Sequence, residues 1–153
     1  MHFTLGRPDD VLEHRGTSVL LIIDTNEAAR SFYADGLNRC DPGYLIIEAG
    51  DEQTARQISE CMRVDCVVLE LALSDKLGLE LLQHFGRIAS RSNVPVIVLT
   101  MIKDPGVLAL AKQSGAQACL DKAHTTPEDL DRAIQRAIAF VGQMPKEDRY
   151  RAV

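Results

Sequence analysis

Asp24, Glu70, Thr100 and Lys122 each stand at or just past the end of a separate apolar run in the 153-residue chain. Two carboxylates, a hydroxyl and an ammonium brought together would pair with one another or hold a small charged ligand. Taken singly, each has a plain explanation. Asp24 suits the cap of a following helix, Thr100 has ordinary strand propensity, and a lysine beside a turn is usually solvated. Glu70 is different. It interrupts the run Val67-Val-Leu-Glu-Leu71, and a charge inside such a run is costly unless it is paired. Lys122 is the obvious partner.

Whether the four meet depends on the elements that carry them. Residues 18–23 are continuous and β-branched, as in a strand buried on both faces. Asn26 or Thr25 caps the helix that follows, with Phe32, Tyr33 and Leu37 on its apolar side. Residues 43–49 read as the second strand. Asp51 starts a second helix with Ala55, Ile58 and Met62 inward. Residues 65–71 are the third strand, and Leu77, Leu81, Phe85 and Ile88 mark a third helix. Residues 95–100 form the fourth strand, with Pro95 at its first position. Asp104-Pro105 is an N-cap followed by an N1 proline, and Gly115 stops that helix. Ala118-Cys119-Leu120 is a short fifth strand. Thr126-Pro127-Glu128-Asp129 opens the last helix, whose apolar face is Leu130, Ile134, Ala137, Ile138 and Val141.

Strands alternating with helices predict an α/β fold: a doubly wound parallel sheet covered on both faces. Asp24-Thr-Asn-Glu27 follows the first strand, with no G-x-G-x-x-G and no P-loop anywhere. The flavodoxin-like order 2-1-3-4-5 is therefore predicted over the dinucleotide-binding order. In such a sheet, ligands sit beyond the carboxyl ends of the strands at the topological switch point, here between strands one and three. The four side chains converge on that rim.

Composition narrows the function. Seventeen basic against 22 acidic residues give a net charge of −5, without the positive footprint that nucleic-acid binding needs. Trp is absent, and Phe and Tyr are few, which weighs against a base-stacking platform. No run approaches the ~20 apolar residues of a membrane span, and the N-terminus lacks the pattern of a secretory signal. Cys40, Cys61, Cys66 and Cys119 form no C-x-x-C and no zinc pattern; they read as reduced structural thiols of a cytoplasmic protein. Ser74 has no hydrolase-triad companions, and His84 and His124 read as peripheral. An irregular extension over residues 1–16, a folded unit over 17–141 and a polar tail over 142–153 are expected.

The segments Val19-Leu-Leu-Ile-Ile-Asp24, Val67-Val-Leu-Glu-Leu-Ala-Leu-Ser-Asp-Lys-Leu-Gly-Leu-Glu-Leu-Leu82, Val94-Pro-Val-Ile-Val-Leu-Thr100 and Gly115-Ala-Gln-Ala-Cys-Leu-Asp-Lys122 resemble the receiver domains of two-component response regulators. The resemblance covers residues 17–141 and implies the (βα)5 receiver fold and a place in phosphorelay signalling. It puts Glu70 where the family has its phosphoacceptor aspartate. It puts Asp24 and Thr25 where the family has an acid pair, and the Ala72 backbone carbonyl in the metal pocket. Thr100 and Lys122 match the family's hydroxyl and lysine. Cys119 stands at its switch aromatic, and Ala123 replaces the proline that usually follows the lysine.

These departures share a direction. Mg²⁺ demands near-octahedral oxygen geometry at about 2.0–2.1 Å, and Thr25 offers a neutral oxygen in place of a carboxylate. Glu70 lengthens the acceptor arm by one methylene, roughly 1.5 Å, and a ~1 Å misplacement can cost about 100-fold. Phosphoryl transfer rests mainly on positioning and charge neutralisation. The expectation is an atypical, non-enzymatic pseudo-receiver that works through protein contacts with a sensor kinase or a downstream signalling protein. No catalytic residue and no cofactor is expected beyond weak Mg²⁺ at Asp24 and Glu70, and neither nucleic acid nor membrane is an expected partner. By the same resemblance, a homodimer would use the helix 4–strand 5–helix 5 face, with Met101, Ile102 and Leu108 as candidate exposed contacts. The alternatives are a phosphorylatable receiver with weak Mg²⁺-dependent chemistry and a small-ligand-binding flavodoxin-like module. The short stretch after residue 141 suggests a stand-alone regulator or one domain of a longer chain.

Overall fold

A computed structural model describes residues 18–74, 76–92 and 94–142. The principal strands are β1 (Val19–Ile23), β2 (Leu45–Ala49), β3 (Cys66–Leu69), β4 (Val96–Thr100) and β5 (Ala116–Asp121). Between and after them run α1 (Glu27–Cys40), α2 (Glu52–Cys61), α3 (Leu79–Ser92), α4 (Pro105–Gln113) and α5 (Pro127–Gly142). All four pairings in the five-stranded sheet are parallel, and the order is 2-1-3-4-5, as predicted.

Alternation along the strands divides the core into two layers. Leu21, Ile23, Val67, Leu69, Val96 and Val98 face one side, where Ala55 and Ile58 of α2, Leu81, Leu82 and Phe85 of α3 and Ala111 of α4 cover them. Leu20, Ile22, Cys66, Val68, Ile97 and Leu99 face the other side, covered by Tyr33, Ala34 and Leu37 of α1 and Leu130, Ile134 and Ala137 of α5. A sheet buried on both faces explains why its strands read as continuous apolar runs. The parallel ladders also align the carboxyl ends of β1, β3, β4 and β5 on one rim.

The expected caps form. Asn26 Oδ1 accepts the Ala29 N–H, and Asp51 Oδ1 accepts the Thr54 N–H. Asp104 Oδ1 accepts from Gly106 and Val107. Thr126 and Asp129 cap each other reciprocally, the geometry of a capping box. Gly115 ends α4 at φ +113°, a conformation that glycine adopts without the strain of a Cβ.

Three local expectations need correction. Leu77 does not open α3; it pairs with Ala72 in a small antiparallel hairpin of Ala72–Leu73 and Lys76–Leu77 and is 40% exposed. Closure of this hairpin, with Gly78 N–H donating to the Leu71 carbonyl at 2.7 Å, delays the helix to Leu79. Phe32 is 54% exposed, because its neighbour Tyr33 takes the inward position and leaves Phe32 packed edge-on against the Tyr33 ring. Met62, the C-cap of α2, packs half-buried against the core layer, on the inward side expected of it. β5 has six residues rather than three, with a register shift that lets Gln117 bulge between Ala116, paired with Val96, and Ala118, paired with Ile97. The expected extension over 1–16, the side chain of Ile88 and the tail beyond residue 142 lie outside the described residues.

Candidate functional site

The sheet ladders run one residue past β1 and β3. Asp24 N–H donates to the Ala49 carbonyl, and Glu70 N–H donates to the Ile23 carbonyl. The two acids therefore emerge side by side at the switch point, each only 5% exposed. Lys122 reaches in from the end of β5. Its Nζ bonds to Asp24 Oδ2 and lies 3.3 Å from Glu70 Oε1. Three of the four side chains singled out in the sequence thus meet, and the lysine bridges both acids.

Backbone amides complete the coordination of each carboxylate. Asp24 Oδ1 accepts the Asn26 N–H at 2.8 Å. Glu70 Oε2 accepts the Ala72 N–H at 3.2 Å, and its Oε1 accepts the Met101 N–H at 3.2 Å. Hydrogen bonds to the ionised form are what make a buried carboxylate tolerable. For Lys122, burial works to lower the ammonium's pKa. The hydrogen bond and charge of Asp24, then those of Glu70, outweigh burial and hold it above the ordinary lysine range.

The remaining expected residues are placed differently. Thr100 is buried, but its hydroxyl accepts the Ile102 N–H at 3.1 Å, and among the described residues it bonds to neither Glu70 nor Lys122. Thr25 is exposed on the rim. Ala72 takes part through its N–H, where its carbonyl was the expected contact. Cys119 is half-buried against α4, with its Sγ 4.0 Å from the Leu108 carbonyl, and it packs on the core layer away from the acids. His124 is exposed and pairs with Asp121 at 2.8 Å, while His84 Nε2 lies 3.1 Å from Ser59 Oγ. Of the candidate apolar contacts, Met101 is 53% exposed, Ile102 packs against the core and Leu108 is half-buried.

Two supports were missed in the sequence. Arg30 of α1 donates from its terminal guanidinium nitrogen to the Asp24 carbonyl at 2.6 Å, and its Nε lies 3.4 Å from Glu48 Oε1. The Tyr33 hydroxyl lies 2.8 Å from the Thr125 carbonyl and 3.2 Å from the Lys122 carbonyl. It fastens the short 3₁₀ turn Lys122–His124 to α1. Burial raises the Tyr33 phenol's pKa; the nearby Lys122 charge opposes this and Asp24 adds to it. The signal was helical spacing: Arg30 and Tyr33 lie three apart, on the side of α1 that faces the rim.

The donor set decides what the pocket can hold. The receiver family implies Mg²⁺, which needs lone pairs from several oxygens. Here N–H groups and an ammonium already point at both carboxylates, Ala72 presents an amide, and Thr25 supplies no charge. The arrangement does not fit a divalent cation; it fits an anion surrounded by donors.

The family model of the response regulator receiver domain matches residues 20–135. The transcriptional regulatory protein PdtaR of Mycobacterium tuberculosis is 31% identical over 100 residues, covering 65% of this chain and 47% of that protein. The cyclic di-GMP phosphodiesterase response regulator RpfG of Xanthomonas campestris pv. campestris is 25% identical over 96 residues, covering 63% of this chain and 25% of that protein. The chain thus spans about half or less of the length of these relatives. A CheY-like receiver domain protein from Methanospirillum hungatei JF-1 superposes with a TM-score of 0.72 at 21% identity, over 80% of this chain and 94% of that one. Strand order, rim and family match agree: the chain belongs to the response regulator receiver domain family of two-component signalling.

Proposed function

We propose that this receiver domain signals through protein contacts without accepting a phosphoryl group, with Glu70 standing permanently where the family's phosphoacceptor would be. The observation that carries the reading is the saturation of the Glu70 carboxylate by Ala72 N–H, Met101 N–H and Lys122 Nζ. An oxygen engaged by donors and an ammonium is a poor nucleophile, and the donors around it suit an anion rather than the divalent cation that phosphoryl transfer uses. On this reading the domain is not an enzyme, holds no resident cofactor and at most binds Mg²⁺ weakly. Its partners are a sensor kinase or a downstream signalling protein. The face built by α4, β5 and α5 is the proposed contact and homodimer surface, with Met101 and Leu110 exposed on its α4 side.

Incubation with Mg²⁺ and acetyl phosphate, followed by intact mass, tests the reading. The expected spectrum shows unmodified protein. A stoichiometric phosphoryl adduct mapped to Glu70 overturns it in favour of a phosphorylatable receiver.

A further inference from the structure

We propose that Tyr33 is a clasp that positions Lys122: its hydroxyl holds the turn after β5 against α1, at the depth from which the ammonium reaches both Asp24 and Glu70. The strand alone cannot set that depth. The ladder between β4 and β5 ends where Asp121 pairs with Thr100, so Lys122 lies past the last sheet pairing. The turn Lys122–His124 contains no proline to fix its backbone. Asp121 shapes it from within. Its Oδ1 accepts the Ala123 N–H, its Oδ2 lies 2.8 Å from His124 Nδ1, and its carbonyl accepts from the Thr125 hydroxyl. Those bonds stay inside residues 121–125, so they settle the shape of the turn and leave its place open.

Place comes from α1. Among the described residues, the Tyr33 hydroxyl is the one hydrogen-bond donor from another element to the backbone of residues 122–125. It lies 2.8 Å from the Thr125 carbonyl and 3.2 Å from the Lys122 carbonyl. A single phenolic proton shared between these two carbonyls pins both ends of the turn at once. The ring that carries it is well anchored: Tyr33 is buried in the layer of Leu37, Leu130 and Ile134, and Phe32 buttresses it edge-on. Three residues on, along the same side of α1, Gly36 admits Pro127 so closely that a Cβ there would lie 2.4 Å from the proline Cβ and Cγ. Helix α1 thus receives the whole connection from β5 to α5, at the turn through Tyr33 and at the start of α5 through Gly36. From its fastened carbonyl, Lys122 extends to Asp24 and to Glu70 Oε1, 3.3 Å away. A shift of the turn by about 1 Å away from the acids would take that second contact out of hydrogen-bonding range. Such a clasp acts whether or not Glu70 accepts a phosphoryl group.

The test uses the full chain and acylation of its lysines by acetic anhydride, mapped by peptide mass, with the exposed Lys103 and Lys112 as internal references. Tyr33→Phe keeps the ring and removes the hydroxyl. It is expected to speed acylation of Lys122 about tenfold relative to the references, because a buried bond is lost and two carbonyls are left without their donor. Tyr44→Phe removes another hydroxyl of the same core layer, bonded to Asp131 and Gln135, and is expected to leave Lys122 as slow as in wild type. A merely structural role would move the two variants alike. Unchanged relative acylation of Lys122 in Tyr33→Phe, or an equal rise in Tyr44→Phe, overturns the proposal. Should Tyr33→Phe not fold, the wild type carries the test. Its Tyr33 hydroxyl proton is expected in cold neutral solution as a resolved, slowly exchanging NMR resonance, and exchange too fast for any resonance overturns the proposal.

Discussion

Lys122 Nζ lies 3.3 Å from Glu70 Oε1 while its other carboxylate contact is Asp24 Oδ2. The ammonium therefore stands between two buried acids. Without it, like charges at ~5 Å would repel by about 3 kcal/mol at an effective dielectric of ~20.

Lys122→Met should destabilise the fold by about 3–5 kcal/mol at pH 7, the range for breaking a buried pair. Urea denaturation of wild type and variant checks this, and a loss below about 1 kcal/mol would show that the ammonium does not hold the two acids together.

Lys122 and Tyr44 should both contribute to alkaline stability, alongside Tyr33, whose phenol is also raised by burial. Burial, then the hydrogen bond to Asp131, push the Tyr44 phenol upward, and Lys122 is also raised. In both cases the fold holds a proton that the unfolded chain releases near pH ~10. Their contribution is complete below that pH and is lost as pH rises through the folded values. Tyr44→Phe should lower stability at pH 8 by about 1 kcal/mol through its bonds to Asp131 and Gln135. It should also flatten the decline between pH 9 and pH ~11.5, as thermal melts across that range would show.

Gly36→Ala should cost about 1–3 kcal/mol. A Cβ there would lie 2.4 Å from both Cβ and Cγ of Pro127, so α1 and α5 would have to separate. Asp35→Ala, one residue away and exposed, should change stability by less than about 0.5 kcal/mol. Equal effects in chemical denaturation would mean that the helix approach is not tight.

Thr25→Asp combined with Glu70→Asp should strengthen Mg²⁺ binding well beyond that of wild type at millimolar metal. The first change adds a carboxylate on the rim, and the second withdraws the acid from the Ala72 and Met101 amides. Titration by isothermal calorimetry checks the gain, and intact mass after acetyl phosphate checks whether an acyl phosphate forms on position 70. Neither single change should suffice, because each leaves one of the two obstacles in place.

Most of the fold was legible because each device is local. Apolar runs gave the strands, and Asn26, Asp51, Asp104 and Thr126 gave the helix starts through short-range hydrogen bonds. The meeting of Asp24, Glu70 and Lys122 followed from strand order alone. The Leu77 hairpin was hidden because a two-residue antiparallel ladder has no periodicity to read. The amides of Ala72 and Met101 were hidden for a different reason. Main-chain donors belong to every residue, and only the path of the loop decides where they point. Nothing in the sequence sets Arg30 apart from other helix-surface cations; its place over the Asp24 carbonyl comes from the fold.

Gln117 is exposed, and it is the one residue of β5 that the ladder with β4 leaves without a partner. Ala118 pairs with Ile97 directly after Ala116 pairs with Val96, so the extra residue is absorbed by the bulge. From Ala118 to Asp121 the strand keeps an unbroken register with β4, and the lysine arm inherits its phase from those pairs. A deletion at Gln117 should therefore straighten the start of the strand and leave Cys119, Leu120 and the approach of Lys122 to the two acids where they are.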